Sequence, residues 1–287
     1  MELEEEIQIA SELSIKAGEK IKEIYHKHNY EVDLKADETP ITTADKRANE
    51  IIVSGLENFN NELKKSKNIV YAILSEESFD DKSRLHKDWC WVVDPLDGTK
   101  GFVKRNGDFT VNISLVYQRR PVLGVIYIPL REELYYAVKN KGAYLMKNSK
   151  SSKISQSLPL PWKDSFANDN FCRLEVSRRK KNLRVVKSRS HASPKLNDLL
   201  ARSNNIAEIK KVGSSIKGCL IAKGEAEIYY RFSPCMEWDI AAMDIIINEA
   251  GGIMRKLNTD DILYYNNEKN IVDTGFYAIN NWQNKLL

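Results

Sequence analysis

Ile7, Ala10, Ser14, Ala17, Ile21 and Ile24 recur at three- and four-residue spacing with charges between them, which predicts an amphipathic first helix carrying a stripe of small residues. Residues 31–40 are polar and turn-rich. A second helix is expected to begin at Thr42 or Thr43 and to run through Ala48, Ile51, Ile52 and Leu56 to about Phe59. Apolar runs at 70–74 and 89–93 read as strands. From Thr110 to Met146 the period shortens to two. Runs at 111–117, 122–128, 133–138 and 143–146, broken at Arg119-Arg120-Pro121, Pro129 and Lys141-Gly142, predict an antiparallel meander.

Residues 147–181 have no clear period and are rich in Ser, Lys and Asn, so a boundary is placed there, between a domain of residues 1–160 and one of residues 161–287. The rest alternates: strand 183–187, helix 193–202, strand 206–212, helix 215–222, strand 226–231, helix 239–250 and strand 252–256. Alternation of this kind belongs to a layered α/β half, and the fold class expected is mixed α/β (α+β).

The stretch richest in chemistry is Trp91-Val92-Val93-Asp94-Pro95-Leu96-Asp97-Gly98-Thr99. Pro95 lacks an N–H and Gly98 permits a left-handed turn, so the chain is expected to leave its sheet after Val93 and curl. Asp94, the Leu96 carbonyl and Asp97 would then surround one point, as the oxygen ligands of Mg²⁺ do. An ordinary strand-to-turn corner uses the same residue types. Two further acidic segments favour the metal: Glu76-Glu77 ends the run 70–74, and Glu237-Trp238-Asp239 opens the last predicted helix. Carboxylates gathered at one place repel unless protons or cations neutralise them.

Composition narrows the classes. The chain has 287 residues, 42% of them hydrophobic and 29% charged, with a net charge of +4. No apolar run approaches the roughly 18 residues of a transmembrane helix, and the acidic start Met1-Glu2-Leu3-Glu4-Glu5-Glu6 is unlike a signal peptide, so a cytoplasmic protein is expected, with peripheral association at the inner face of the membrane left open. The balance of charge argues against nucleic-acid binding, and Arg178-Arg179-Lys180-Lys181 reads as a solvated linker. Cys90, Cys172, Cys219 and Cys235 are scattered and read as free thiols.

Asp-Pro-Leu-Asp-Gly-Thr, with Glu-Glu upstream and Trp-Asp-Ile-Ala-Ala downstream, resembles the inositol monophosphatase-like family of Mg²⁺-dependent, lithium-sensitive phosphatases. Lys35-Ala36-Asp37, the run from Pro40 to Asp45, the run from Gly98 to Asn112, Ser188-Arg189-Ser190-His191-Ala192 and Gly213-Ser214-Ser215-Ile216-Lys217 are most similar to its bacterial 3′(2′),5′-bisphosphate nucleotidases of the CysQ type. The likeness covers about Ile7 to Gly252.

The resemblance implies an αβαβα sandwich and two or more Mg²⁺ ions. Glu76, Asp94 and the Leu96 carbonyl would hold the first, and Asp94, Asp97 and Asp239 the second. Thr99 and Asp45 would form the dyad that activates water. Glu76, Leu96, Asp97, Gly98, Thr99, His191, Ser214, Lys217, Arg231 and Asp239 would meet a small nucleotide bisphosphate. Other accounts stand beside these: Thr42-Thr43-Ala44-Asp45 fits a helix capping box, Asp239 fits charge compensation at a helix start, and Lys217 fits a solvated helix face. The activity implied is removal of the 3′-phosphate of adenosine 3′,5′-bisphosphate. The alternatives are an inositol monophosphatase, against which Gly98-Thr99-Lys100-Gly101-Phe102 departs from the inositol pattern, and a non-catalytic binding module.

Overall fold

The computed structural model describes residues 2–27, 31–34, 40–149, 158, 160–163, 170–189 and 193–287. Helices α1 (Glu4–Lys27) and α2 (Thr43–Lys67) pack side by side. Gly55 makes this possible, since a Cβ there would lie 2.2 Å from a methyl of Leu13. Acids in the first turn of α1 and basic residues in its last turn match the helix dipole.

Among the described residues, strands β3 (Ala72–Ser75), β4 (Trp89–Asp97), β5 (Thr110–Tyr117), β6 (Arg120–Ile128), β7 (Glu133–Val138), β8 (Gly142–Met146) and β9 (Phe171–Arg173) form a seven-stranded sheet in sequence order. β3 and β4 are parallel and the later pairs are antiparallel. A second, five-stranded sheet is ordered β11 (Ile206–Val212), β10 (Leu183–Ser188), β12 (Ile228–Arg231), β16 (Phe276–Ile279), β14 (Ile253–Lys256).

Strand periodicity sorts the apolar residues into layers. Trp91, Val93, Val111, Ile113, Val125 and Tyr127 bury one face of the first sheet against α1 and α2. Cys90, Val92, Ile126, Tyr135 and Ala137 bury the other face against α5 (Ile216–Ala222) and α6 (Ala241–Glu249). Val186, Tyr229, Met254 and Ala278 of the second sheet close on those same helices. Its outer face, with Val185, Ile228, Tyr230 and Ile279, carries Leu196 and Leu200 of α4 (Pro194–Ala201). The layers run helix, sheet, helix, sheet, helix, the sandwich that the family resemblance implies.

The structure corrects four local expectations. β4 does not leave the sheet after Val93; it stays paired to β5 as far as Asp97, and a register shift between Asp94 and Asp97 takes up the extra residue. Pro95 fits because the ladder to β3 stops at Val93, so no donor is required there on that side. α2 runs past Phe59 to Lys67 because Asn60 and Leu63 still face the core, and it stops at Asn68 in the left-handed conformation (φ 53°). The turn-rich segment holds a small hairpin, β1 (Val32–Leu34) with β2 (Pro40–Thr42). Beyond Lys256, where no element was expected, β15 (Ile271–Val272) pairs with β13 (Cys235–Met236), and β16 sits inside the second sheet.

One contact sets the depth of α6. A Cβ on Gly124 of β6 would lie 2.4 Å from a methyl of Ile245 and 2.8 Å from the Ala242 carbonyl oxygen. Gly124→Ala should therefore overpack this layer at a cost of about 1–3 kcal/mol, read as a lower melting midpoint. An unchanged midpoint would show slack between β6 and α6.

Candidate active site

Parallel strands carry their carboxyl ends to the same edge, and here that edge holds acids. β3 ends at Ser75, paired with Val93, and the next N–H, of Glu76, donates to the Val93 carbonyl at 3.2 Å. Glu76 thus emerges beside Asp94, where open α/β sheets form their crevices. Asp94 is 1% exposed, and one of its oxygens accepts the Leu96 N–H at 3.1 Å, which folds the Asp94–Asp97 bulge back on itself.

Asp97 is held from the other half of the chain. Its Oδ2 accepts from the Ser215 N–H at 2.6 Å and the Ser215 hydroxyl at 2.8 Å. Asp239, just ahead of α6, completes the group. One oxygen each from Asp94, Asp97 and Asp239 lie within 4.8 Å of one another. Glu76 lines the same cleft outside that group of three.

The charges are uncomfortable as they stand. Burial, then repulsion from Glu76, Asp97 and Asp239, pushes the Asp94 carboxyl well above the usual range, and Glu76 is close enough to share its proton. Burial and the neighbouring Asp97 push Asp239 up to about 7. The donor set is all oxygen, and the Leu96 carbonyl accepts a long 3.3 Å bond from Thr99. A hard divalent cation fits such a set.

Thr99 starts α3 (Thr99–Val103) directly after Gly98, whose φ of 97° and position 2.6 Å (for an added Cβ) from the Asp108 carbonyl oxygen exclude other residues. Its hydroxyl lies 2.9 Å from Asp45 Oδ1. Asp45 Oδ2 meanwhile accepts the N–H of Thr42 at 2.7 Å and its hydroxyl at 2.5 Å. The capping box is real, and it occupies only one oxygen of Asp45. Burial raises the Asp45 carboxyl above its ordinary value.

These groups open on a cleft of about 260 Å³ between the two sheets' edges. Gly98, Ser214, Lys217 and Arg231 line it as well. Lys217 is not a solvated charge: it is 4% exposed, its ammonium donates to the Ser214 carbonyl and stands 5.3 Å over the Tyr229 ring, and burial lowers it to about 8. Ser214 is left-handed (φ 49°). The Arg231 guanidinium donates to the Pro234 carbonyl at 3.0 Å. His191 lies outside the described residues.

In and behind the cleft stand residues to which the linear pattern assigns no role. Arg189 pairs with Asp108 at 2.7 Å, and Asp108 Oδ2 also takes the Gly213 N–H at 2.9 Å. Ser215 links Asp97 to the Asp239 carbonyl, and Asn112 donates to both Asp97 and Ser215. All four lie inside stretches that the resemblance had singled out, but nothing in a linear pattern shows that residues 106–112 and 213–217 meet.

Residues 2–286 match the inositol monophosphatase family. The chain is 35% identical over 269 residues to the 3′(2′),5′-bisphosphate nucleotidase CysQ of Buchnera aphidicola, covering 93% of this chain and 91% of that one. Its fold is similar to the crystal structure of CysQ from Bacteroides thetaiotaomicron, with a TM-score of 0.76 and 35% identity over 97% of this chain and 98% of that one. It also superposes on an inositol monophosphatase of Thermotoga maritima with a TM-score of 0.72 at 20% identity, covering 96% and 92% of the two chains.

Raised carboxyl pKa values mean that the folded chain binds more protons than the unfolded one between about pH 4 and the folded values. The stability they support is present at low pH and is lost as pH rises toward the Asp239 value of about 7. In chelator, the melting midpoint should thus fall from pH 5 toward pH 8. Added Mg²⁺ should raise it, and more at pH 8 than at pH 5. Equal shifts at both pH values would show that protons and cation do not compete for these carboxyls.

Proposed function

Because the chain belongs to the inositol monophosphatase family, we propose that it is a Mg²⁺-dependent phosphatase that removes the 3′-phosphate of adenosine 3′,5′-bisphosphate, giving AMP and phosphate, and that 3′-phosphoadenylyl sulfate is a second substrate. The observation that carries this reading is the meeting of Asp94, Asp97 and Asp239 within 4.8 Å, with the Thr99–Asp45 pair opening on the same cleft.

Glu76, Asp94 and the Leu96 carbonyl would hold one Mg²⁺, and Asp94, Asp97 and Asp239 a second. Bound there, the ions would supply charge neutralisation at the phosphoryl oxygens and a water of lowered pKa. The chain's own task is to place that water and take its proton. Thr99 has one hydroxyl proton and two acceptors; Asp45, at 2.9 Å and charged, is favoured over the Leu96 carbonyl at 3.3 Å. The Thr99 oxygen then has lone pairs for a water in the cleft. Asp45 is a suitable terminus because burial strengthens its hold on a proton and Thr42 keeps it from turning. Water oxygen bonds to phosphorus as its proton passes by Thr99 to Asp45, the bond to the ribose 3′-oxygen breaks, and that oxygen takes a proton from a solvent water.

A second phosphate needs cationic partners. Arg189, Arg231 and Lys100 line the cleft beyond the carboxylates. The nucleotidase names of its curated relatives support the same substrate class.

Thr99→Ala and Asp45→Asn should each lower kcat by about 10²–10⁴-fold, the usual scale of positioned proton transfer. The double variant should lose little more than either single one. Additive losses, measured in saturating Mg²⁺, would reduce Asp45 to a helix cap.

Adenosine 3′,5′-bisphosphate should exceed inositol 1-phosphate in kcat/KM by at least about a hundredfold. Two charge-assisted hydrogen bonds of roughly 1.5–3 kcal/mol each suffice for that. Equal rates, or a preference for the inositol ester, would leave only the Mg²⁺ phosphatase reading standing.

A further inference from the structure

Two stretches, residues 98–112 and 213–217, carry the closer resemblance, yet the proton path above uses only Thr99 from them. In the structure they meet at Asp97. Thr110, Asn112 and Ser215 are at most 1% exposed and form a chain of hydrogen bonds between β5 and the start of α5. The Thr110 hydroxyl lies 3.0 Å from Asn112 Oδ1 and 3.5 Å from Asp97 Oδ2, so its proton goes to the amide. That donation fixes which end of the Asn112 amide is NH₂. The two amide hydrogens then serve Ser215 Oγ at 2.9 Å and Asp97 Oδ2 at 3.3 Å.

Ser215 is now constrained in turn. One lone pair is engaged by Asn112, and its hydroxyl oxygen, with a single proton to give, lies 2.8 Å from both Asp97 Oδ2 and the Asp239 carbonyl oxygen. A carboxylate is the stronger acceptor. Its backbone N–H donates to the same Oδ2 at 2.6 Å. Among the described residues, every hydrogen bond given to the Asp97 side chain ends on Oδ2. Oδ1 receives none.

We propose that Asn112 and Ser215 are positioning residues that gather the protein's donors onto Asp97 Oδ2 and so reserve Oδ1 for the divalent cation. The inference rests on the reading of Asp97 as a metal ligand. It assigns these residues to cation affinity and not to contact with the nucleotide. Partners of this kind orient a ligating carboxylate, and losing one costs about 10–100-fold in metal affinity.

The test is calorimetric titration of Mg²⁺ into the substrate-free wild type, Ser215→Ala, Asn112→Ala and the double variant, together with the Mg²⁺ dependence of turnover. Each single variant should bind Mg²⁺ about 10–100-fold more weakly. The double variant should bind more tightly than the product of the two losses implies, because Asn112 acts partly through Ser215. At saturating Mg²⁺, KM for adenosine 3′,5′-bisphosphate should match the wild type. Ser215→Ala removes a single buried oxygen and decides the matter if Asn112→Ala fails to fold. Wild-type affinity for Mg²⁺ in Ser215→Ala, with or without a lower melting point, would overturn the proposal and leave only a structural link. A raised KM at unchanged Mg²⁺ affinity would overturn it in favour of a substrate contact. A wild type that binds no Mg²⁺ would overturn it as well, by removing the metal reading of Asp97 on which it rests.

Discussion

Mutual repulsion among buried carboxylates is the constraint around which this molecule is arranged. Asp94 and Asp239 are held where burial and like charge both oppose ionisation, and an isolated fold would relieve that by moving them apart. The surroundings prevent it. Asp94 is fixed by the Leu96 N–H within its own bulge, and Asp97 by Ser215 from across the cleft. Electrostatic discomfort in the cation-free state is the counterpart of affinity for a cation, because whatever the acids lose by approaching one another a doubly charged ion can return.

The layering explains why the acids come from distant parts of the chain. β3 and β4 deliver Glu76 and Asp94 because they are parallel neighbours ending together. α5 and α6 fill the middle of the sandwich, touching both sheets, and their starting ends carry Ser215 and follow Asp239. A second polar cluster ties the same regions together. Arg84, 2% exposed, pairs with Asp80 at 2.9 Å, in the loop that follows Glu76, and donates to the Asn267 carbonyl at 2.9 Å. Glu237, two residues before Asp239, accepts the Asn266 and Asn267 N–H groups at 2.7 and 3.1 Å.

Much of this was legible in the amino-acid pattern because the pattern is local. The alternation in β5 to β8 and the helical stripe of α1 come from burial on one or both faces of single elements, and the acids stand next to the apolar runs that place them. What the pattern hid was non-local. Pro95 argued for an exit from the sheet, but the missing ladder on the β3 side and the bulge opposite β5 make its lost donor harmless. Polar residues after Phe59 masked the last turns of α2, which need only Asn60 and Leu63 on the buried side. Lys217 could be a nucleotide contact or a solvated charge in the linear pattern, because no linear rule shows an ammonium folded back onto Ser214 and over Tyr229. Asn112 and Ser215 acquire meaning only through each other.

The place of β16 has a consequence for the order in which this protein can be built. β12 and β14 are each bonded to β16 and not to one another, so the second sheet stays open until residues 276–279 have been synthesised. The first sheet takes its strands in the order in which a ribosome makes them. Asp94 and Asp97 therefore lie in a strand that is synthesised well before the second sheet can close. The second sheet, which packs against α5 and α6 behind Ser215 and Asp239, is the layer of the sandwich whose strands are last to be complete.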